Sequence, residues 1–340
     1  MYPIFRNGVD LMNQPIDFVV MWVDGNDQEW RKKKNSFSAD ISSQVDDSEE
    51  RYRDWNNLEL WVKSAQAFAP WVNNIYLLTD NQVPEFISNY PKVKVVDHKE
   101  FIPEEYLPTF SSHTIELNAH RIKGLSEQFV LFNDDVFLIK AVQPTDFFVE
   151  GKPKDSYAAN IINGVGKDDI IKYIVLNNVA IINEHFNKRE QLKTQFKKWF
   201  NPLNGPFLFK TLLLSPWPHF TGFVETHIAN SYLKSTFEDV WDREFEFLNK
   251  TCLNKFRHMN DVNQWVMRSW QLASGTFVNR KHNFGKFFMV DESNVDECVN
   301  WIKNQKSHMV CINDENTIKN FERLTKQIND ALSSIIPDQQ

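Results

Sequence analysis

Residues 16–27 read IDFVVMWVDGND, and the fold assignment starts from this stretch. The first eight positions form an almost unbroken apolar run, which is typical of a strand buried on both faces of a parallel sheet. The DGND tetrapeptide that follows is a strong turn signal. We therefore predict a first buried strand over residues 16–23 that ends in an acidic turn.

Three similar apolar runs follow along the chain, over residues 74–80, 93–96 and 129–132. Helical spacing of apolar residues over 56–68, and a second helical segment over 111–125, separate these runs. Strands that alternate with helices indicate a βαβ architecture. We expect an α/β fold with a mainly parallel sheet flanked by helices.

The pattern becomes less regular and more helical after residue 150. We predict helices near 181–200 and 224–233, and an amphipathic helix over 316–336 that packs on the core. The prediction is an α/β core over residues 1–150, with residues 151–340 as a more helical half that completes the same catalytic domain.

The composition excludes several classes of protein. A formal net charge of −7 argues against non-specific nucleic-acid binding, so we expect no nucleic-acid partner. Three cysteines without CxxC spacing favour a reducing compartment, and the sequence contains no signal-peptide pattern and no apolar run long enough to span a bilayer. We expect a cytoplasmic protein. The C-terminal helix allows membrane contact, although core packing is the simpler interpretation.

Acidic residues follow two of the predicted strands, at Asp24 and Asp27 and again at Asn133, Asp134 and Asp135. Ligands of open α/β sheets bind beyond the carboxyl ends of the strands. Mg²⁺ prefers one or two carboxylates together with water and phosphate oxygens, so Asp134 and Asp135 are candidate metal ligands. An ordinary turn remains the alternative interpretation at both places, because Asn and Asp favour turns in general.

Further candidate residues lie before the last strand and in the second half of the chain. Glu116 and His120 are four residues apart and would share one face of a helix. His219 and Arg257 are suited to phosphoryl transfer, because histidine can act as a general base and arginine can bind phosphate oxygens. The alternative is structural, with His120 as a solvated or core histidine and Arg121 as a surface ion-pair partner.

The sequence lacks a P-loop, a GxGxxG after the first strand, GxSxG, HExxH and paired CxxC motifs. ATP hydrolysis, dinucleotide redox chemistry, serine hydrolysis and zincin chemistry therefore lose their usual support. The residues by themselves indicate an α/β enzyme that handles phosphate groups.

Four blocks of the sequence stand out together: IDFVVMWVDGND at 16–27, RDWNNL through APWV at 53–72 with 107–136, WPHF at 217–220 with FRH at 256–258, and VCIND at 310–314. These blocks resemble the Stealth family, whose bacterial members make phosphodiester-linked capsular polysaccharides and whose animal relative is a GlcNAc-1-phosphotransferase. The stretch that closes on FNDDV at 132–136 is the most specific of them.

The resemblance implies a Rossmann-like core related to the GT-A nucleotide-sugar glycosyltransferases, with residues 1–150 on the nucleotide-sugar side and 151–340 on the acceptor side. It also implies roles for individual residues. The expected catalytic residues are Glu116, Asp135, His219 and Arg257, and the expected substrate-binding residues are Asp17, Asp24, Asn133, Asp134, His120 and Arg121.

The implied reaction moves a sugar 1-phosphate from a nucleotide-sugar donor to a hydroxyl of an oligosaccharide or polysaccharide acceptor. The expected donor is a UDP-N-acetylhexosamine, and UMP leaves. Mg²⁺ or Mn²⁺ at Asp134 and Asp135 is the expected cofactor, and the base is either His219 or Glu116. Capsule synthesis would allow peripheral association with the inner face of the membrane.

Two other functions compete with this one. The first is a glycosyltransferase of the same fold, which would transfer the sugar alone and release UDP. The second is a non-catalytic carbohydrate-binding protein, which would suit an aromatic content of 14% but leaves the acidic clusters unexplained.

Overall fold

The computed structural model of the protein describes residues 14–38, 45–46, 52–164, 166, 169–314 and 318–337. The strands are β1 (Ile16–Met21), β2 (Val45–Asp46), β3 (Ile75–Thr79), β4 (Val93–Asp97), β5 (Gln128–Phe132), β6 (Val136–Leu138), β7 (Phe148–Val149), β8 (Lys152–Asp155), β9 (Asn230–Leu233), β10 (Arg257–His258), β11 (Val278–Asn279), β12 (Gly285–Val290) and β13 (Met309–Asp314). The helices are α1 (Gln28–Asn35), α2 (Leu58–Phe68), α3 (Ser112–Asn118), α4 (Ile170–His185), α5 (Lys188–Thr194), α6 (Phe196–Trp199), α7 (Phe207–Leu214), α8 (Lys234–Arg243), α9 (Phe245–Leu253), α10 (Trp265–Ser274), α11 (Val295–Lys303) and α12 (Phe321–Ile335).

The central sheet has five strands in the order β4-β3-β1-β5-β9. Strands β4, β3, β1 and β5 are parallel to their neighbours, and β9 runs antiparallel to β5 at the edge. The chain moves outward from β1 through β3 to β4 and then returns to place β5 on the other side of β1. This reversal of strand order is the topological switch point at which doubly wound folds bind ligands. The predicted α/β class with a mainly parallel sheet is confirmed.

Helices and loops cover both faces of the central sheet, as the apolar run of β1 requires. Phe18 and Val20 belong to one buried cluster, which includes side chains of α2, α11 and α12. Val19 belongs to the cluster on the opposite face, which includes side chains of α8, α9 and α10. Because side chains alternate along a strand, a run buried on both sides must be apolar at every position.

A second sheet joins the C-terminal part of the chain to the first part. β12 and β13 are parallel, with α11 between them in sequence, and β13 pairs antiparallel with β6. The terminal helix α12 packs against α2 and α11 through Leu324, Ile328, Ala331 and Leu332. The predicted amphipathic terminal helix over residues 316–336 is thus confirmed over its described part, and residues 315–317 lie outside the described residues.

Two predicted helices differ from the structure. The segment 181–200 contains the end of α4 and two short helices, α5 and α6, instead of one continuous helix. The prediction of a helix over 224–233 is wrong, because residues 230–233 form β9 and satisfy the edge of β5 by backbone pairing. The apolar pattern of a short buried edge strand resembles that of a helix segment.

Nine of the twelve helices in the described ranges fall after residue 151, as expected for a more helical second half. Within those ranges, no helix combines the length and the apolar character that crossing a bilayer requires.

Candidate active site

The turn between β5 and β6 carries Asn133, Asp134 and Asp135 at the switch point of the central sheet. The N–H of Val136 donates to the carbonyl of Asn133 (3.1 Å), so the acidic residues occupy a tight turn. The N–H of Ile312 on β13 donates to the carbonyl of Asp135 (2.9 Å). Two sheets therefore fix the backbone at the position where the sequence predicted a carboxylate pair.

Asp135 is a carboxylate with few neutralising contacts. Its Oδ2 accepts a hydrogen bond from Cys311 Sγ (3.3 Å), and its buried Oδ1 has no hydrogen-bond partner among the described residues. Burial raises its pKa to about 6, and the charge of Asp314 adds to the rise, while Cys311 and Arg257 act in the opposite direction. The ionised form of Asp135 is therefore unfavourable in the folded protein, and a bound cation would offset this unfavourable free energy.

Further carboxylates extend this acidic region. Asp134 is exposed at its surface, but protein atoms crowd around its carboxylate. This partial desolvation is the first cause that raises its pKa to about 7, and repulsion from Asp135 and Asp54 is the second. The pKa of Asp54 is raised by burial and then by Asp24. Asp24, Asp54, Asp134 and Asp135 therefore form one electrostatically coupled acidic cluster.

The acidic cluster fits a divalent cation. An unpartnered buried Oδ1 and two carboxylates with raised pKa values are what a site lacking its counter-charge should show. In the described part of the chain, no three His, Cys, Asp or Glu side chains are grouped closely enough to form a metal site by themselves. Mg²⁺ suits this arrangement, because it commonly takes only one or two carboxylates and completes its shell with water and phosphate.

Arg257 lies on the other side of the site, on the short strand β10. Its Nη2 donates to Ser112 Oγ (2.7 Å) at the start of α3, and its charge lowers the pKa of Asp135. Glu116 is one turn further along α3 on the same face as Ser112. The Glu116 side chain is buried, and its Oε2 accepts from the N–H of Gln264 (3.3 Å). The structure therefore places Arg257 within electrostatic range of Asp135, and Ser112, the hydrogen-bond partner of Arg257, shares a face of α3 with Glu116.

The residues that follow β1 have clear local structural roles. Asp24 Oδ1 accepts from the N–H of Asn26 (2.8 Å), and Asp27 caps α1 by accepting from the N–H groups of Glu29 (2.9 Å) and Trp30 (3.3 Å). The hydrogen bond from Gln82 is the main cause that lowers the pKa of Asp27. The turn interpretation therefore accounts for Asp27, whereas Asp24 also interacts with Asp54.

Asp17 is far from the cluster, at the opposite end of β1. Its carboxylate is fully buried and accepts hydrogen bonds from Asn73, Asn74 and the N–H of Ser126 (2.7 Å). Seven residues of extended chain separate it from Asp24, which corresponds to roughly 20 Å. Through these hydrogen bonds Asp17 links the loop before β3 to the loop before β5. This position favours a structural role over contact with the donor.

His120 packs into the core instead of the site, and Arg121 is exposed beside it. α3 ends at Asn118 and a 3-10 turn follows, so the predicted helical face shared by Glu116 and His120 is wrong. The His120 ring centroid lies 6.2 Å from that of Trp241, and the Arg121 guanidinium lies 4.9 Å above the same ring. Burial first and then the charge of Arg121 lower the pKa of His120 to about 3.

His219 is exposed on the segment that follows α7. Its neighbours are anchored, because Lys188 Nζ donates to the carbonyl of Trp217 (3.0 Å) and the N–H of Phe220 donates to Asn183 Oδ1 (2.8 Å). The catalytic role of His219 stays a prediction.

A cleft of about 600 Å³ adjoins the acidic cluster and was not predicted as such. Arg31, Arg53, Asp54 and Phe321 on α12 are among the residues that line it. Arg53 Nη1 forms an ion pair with Asp314 (2.5 Å), and its guanidinium lies 4.8 Å from the Phe321 ring centroid. Two sequence motifs mark this cleft, RDW at 53–55 and the acidic end of VCIND at 310–314, but neither motif by itself indicates a function.

Comparison with known families supports the assignment that the motifs suggested. Residues 14–42 match the family model for Stealth protein CR1, conserved region 1, and residues 51–155 match that for Stealth protein CR2, conserved region 2. The second match includes Glu116 and the Asn133 to Asp135 turn.

Full-length relatives have the same family assignment. The chain is 40% identical over 327 residues to the capsular polysaccharide phosphotransferase WcwK of Streptococcus pneumoniae, covering 96% of this chain and 97% of the relative. It is 41% identical over 325 residues to the exopolysaccharide phosphotransferase cps2G of Lactiplantibacillus plantarum, covering 95% and 94%.

Solved structures offer only a distant likeness. A crystal structure of galactosyltransferase LgtC in complex with donor and acceptor sugar analogues covers 92% of this chain and 95% of its own, at 9% identity and a TM-score of 0.36. These values are too low to support a conclusion about fold or function. The full-length sequence relatives decide the assignment: the protein is an enzyme and belongs to the Stealth family.

Proposed function

We propose that the protein is a sugar-1-phosphate transferase, which moves the N-acetylhexosamine 1-phosphate of a UDP-N-acetylhexosamine to a hydroxyl of a growing capsular polysaccharide or exopolysaccharide and releases UMP. The names of the full-length relatives support the class of reaction and of product. The observation that carries the proposal for this chain is the position of Asp134 and Asp135 at the switch point of the sheet, with the positive charge of Arg257 acting on Asp135.

The proposed chemistry is displacement at phosphorus. An acceptor hydroxyl attacks the phosphorus atom that bears the sugar, and the bond from this phosphorus to the bridging oxygen of UMP breaks. The products are a sugar–phosphate–sugar diester and UMP, and the hydroxyl proton passes to the base. Such transfer depends on in-line positioning and on charge neutralisation. Arg257 would supply a permanent positive charge to the phosphoryl oxygens.

A divalent cation is part of this proposal. Asp134 and Asp135 would hold Mg²⁺ or Mn²⁺, which when bound neutralises charge on the diphosphate oxygens. The chain contributes the rest, because the β5–β6 turn fixes both carboxylates and Cys311 orients Asp135 through Oδ2.

We take His219 as the base. Its exposed ring is accessible to an arriving acceptor, whereas the Glu116 carboxylate is buried and already accepts the N–H of Gln264. His219→Ala should lower kcat by about 10²- to 10⁴-fold without loss of folding. The same loss from Glu116→Gln, together with a small effect of His219→Ala, would assign the base to Glu116.

We place the nucleotide of the donor in the cleft beside the acidic cluster. The cleft volume of about 600 Å³ lies within the range of small-molecule sites. Arg31 and Arg53 would face the phosphates, and the uracil ring of the nucleotide would stack on the Phe321 ring. Phe321→Ala should raise the KM for the donor by about tenfold with little change in kcat. Phe245→Ala, an exposed aromatic outside the cleft, serves as the control.

Product identity tests the reaction itself. The purified protein is incubated with UDP-N-acetylglucosamine, Mg²⁺ and oligosaccharide acceptors, and UMP and UDP are separated and quantified. Acceptor-dependent UMP supports sugar-phosphate transfer, whereas UDP would identify a glycosyltransferase. If neither appears with this donor, the remaining UDP-N-acetylhexosamines are tested, and failure with all of them rejects the proposed donor.

A further inference from the structure

Helix α7 presents an apolar face to solvent. Phe209, Leu212, Leu213 and Trp217 expose 68%, 57%, 56% and 53% of their surface, although such side chains are normally buried. The first three share one face of α7 through their three- and four-residue spacing, and Trp217 follows directly after the helix. We call these four residues the α7 face.

The α7 face is held rigidly by the opposite side of the helix. Thr211 and Leu214 are buried, and Lys188 Nζ donates to the carbonyl of Leu214 (2.6 Å) at the C-terminus of α7. The exposed side chains are therefore a fixed feature of the folded surface. Contiguous apolar surface of this kind marks an interaction site.

The charge around the α7 face opposes that of the whole protein. Residues 188–213 contain six lysine or arginine residues and one acidic residue, Glu190, in a chain of net charge −7. Four of the six cations are exposed, Arg189, Lys193, Lys197 and Lys210, whereas Lys188 is buried and Lys198 is half-buried. Lys193 and Lys197 on the neighbouring helices α5 and α6 are exposed. A rigid apolar face with a tryptophan at its edge and a local excess of cations is the combination that lies on anionic bilayers.

We propose that the α7 face docks the protein on an anionic lipid bilayer, with α7 in the plane of the interface. The α7 face thereby replaces the C-terminal helix α12 as the candidate membrane contact, because the apolar side of α12 is buried against α2 and α11. His219 follows Trp217 by two residues, so docking would hold the proposed base at the lipid boundary, where an acceptor attached to a membrane lipid would arrive. This last consequence rests on the proposed function, whereas membrane docking does not.

Vesicle co-sedimentation tests the docking directly and needs no catalytic activity. The full chain is mixed with vesicles of phosphatidylcholine alone and of phosphatidylcholine with phosphatidylglycerol. We expect binding to the anionic vesicles, weakened by salt. Phe209→Ser with Leu213→Ser should lower the partition coefficient at least tenfold, and Lys193→Glu with Lys197→Glu should lower it by roughly fivefold for each removed cation.

Val83→Ser is the matched control, because Val83 is 70% exposed and lies outside the α7 face. It should leave binding unchanged, and all variants should keep the melting temperature of the wild type. Absence of binding to anionic vesicles would overturn the proposal. Self-association of the protein, measured by light scattering, would also overturn the proposal if the Phe209 and Leu213 substitutions abolish it while vesicle binding persists. A second copy of the chain would then cover the α7 face.

Discussion

Asp135, the proposed metal ligand, is a residue whose ionised form lowers the stability of the metal-free protein. Its Oδ1 is buried without a partner, and Asp314 and Asp134 surround it with like charge. A folded-state pKa of about 6, above the usual 3.8, means that the ionised form costs free energy in the native protein. Only a bound cation or substrate would give the protein a benefit from this carboxylate.

Asp135→Asn should therefore stabilise the metal-free protein and abolish its activity. Asparagine can still accept the Cys311 Sγ–H through Oδ1, but it removes the desolvated charge, so we expect a gain of about 1–2 kcal/mol in the free energy of unfolding at pH 8. We expect kcat to fall by at least about 10²-fold. Chemical denaturation with EDTA present and the UMP assay measure the two effects. Asp242→Asn, on the exposed side of α8, should change neither.

The same carboxylates make stability depend on pH. Asp134 and Asp135, with pKa values raised to about 7 and 6, bind more protons in the native than in the unfolded state between about pH 4 and 7. Their contribution to the free energy of unfolding therefore falls as pH rises through this range. The difference in melting temperature between the metal-free wild type and the metal-free double variant Asp134→Asn with Asp135→Asn should decrease from pH 4 to pH 8. A flat difference would show that the carboxylates are well solvated.

Metal affinity should have the opposite pH dependence. Protonated carboxylates are poor ligands, so Mg²⁺ binding should weaken as pH falls from 7 towards 5. Isothermal titration calorimetry across this range checks the expectation, with the double asparagine variant as the non-binding control.

The sequence singles out the Asp134–Asp135 pair as candidate metal ligands, which stays a prediction, and it could not separate site residues from structural ones among the other candidates. Asp17 and His120 carry the same chemical groups as the site residues, and only tertiary structure shows that one binds the loops at the amino end of β1 and the other packs against Trp241. Asp54 was overlooked because its burial beside Asp24 depends on contacts between distant segments. The four-residue spacing of Glu116 and His120 suggests that they share one helical face. The α-helix α3 ends at Asn118, before it reaches His120, so the two side chains do not share such a face.

At the scale of elements, the junction between β1 and α1 depends on Gly25. A Cβ at this position would lie 1.7 Å from the carbonyl oxygen of Tyr52, so the backbone before α2 must approach a glycine. Arg31 Nε also donates to the Gly25 carbonyl. The close approach holds Asp24 and Asp54 in neighbouring segments of the acidic cluster.

Gly25→Ala should separate these segments. We expect a loss of about 1–3 kcal/mol in the free energy of unfolding, together with weaker donor binding, because the clash is with backbone and cannot relax by a rotamer change. Gly164→Ala is the matched control, since an added Cβ there meets nothing within 4 Å. Equal stability of the two variants would contradict the close approach. Denaturation curves and the KM for the donor measure the outcome.

Strands that are buried on both faces could be predicted from their apolar sequence. A strand whose conformation depends on pairing with another strand could not. β1, β3 and β5 are short continuous apolar runs, and the structure places each within a residue or two of its prediction. β9 was predicted as a helix, because its extended form follows from pairing with β5 rather than from its own pattern. The order β4-β3-β1-β5 likewise depends on long-range packing.

At the scale of the whole molecule, the second half of the chain completes both faces of the first. The cluster around Phe18 and Val20 includes Val310, Ile328 and Leu332, and the cluster around Val19 includes Val266 and Met267. β6 also pairs with β13, so residues beyond 284 supply a sheet partner to the first half. The boundary near residue 150 that the sequence suggests is thus crossed by both hydrophobic clusters.

A fragment of residues 1–150 should therefore fail to fold alone. Without α10, α11 and α12, the central parallel sheet would expose apolar side chains on both faces, and a parallel sheet is stable only when both faces are covered. We expect the fragment to lack a cooperative thermal transition and a dispersed NMR spectrum, whereas co-expression with residues 151–340 should restore both. The full chain should unfold in one transition. A sharp transition of the fragment alone would instead make residues 1–150 an independent nucleotide-sugar domain, and its binding of UDP could then be measured directly.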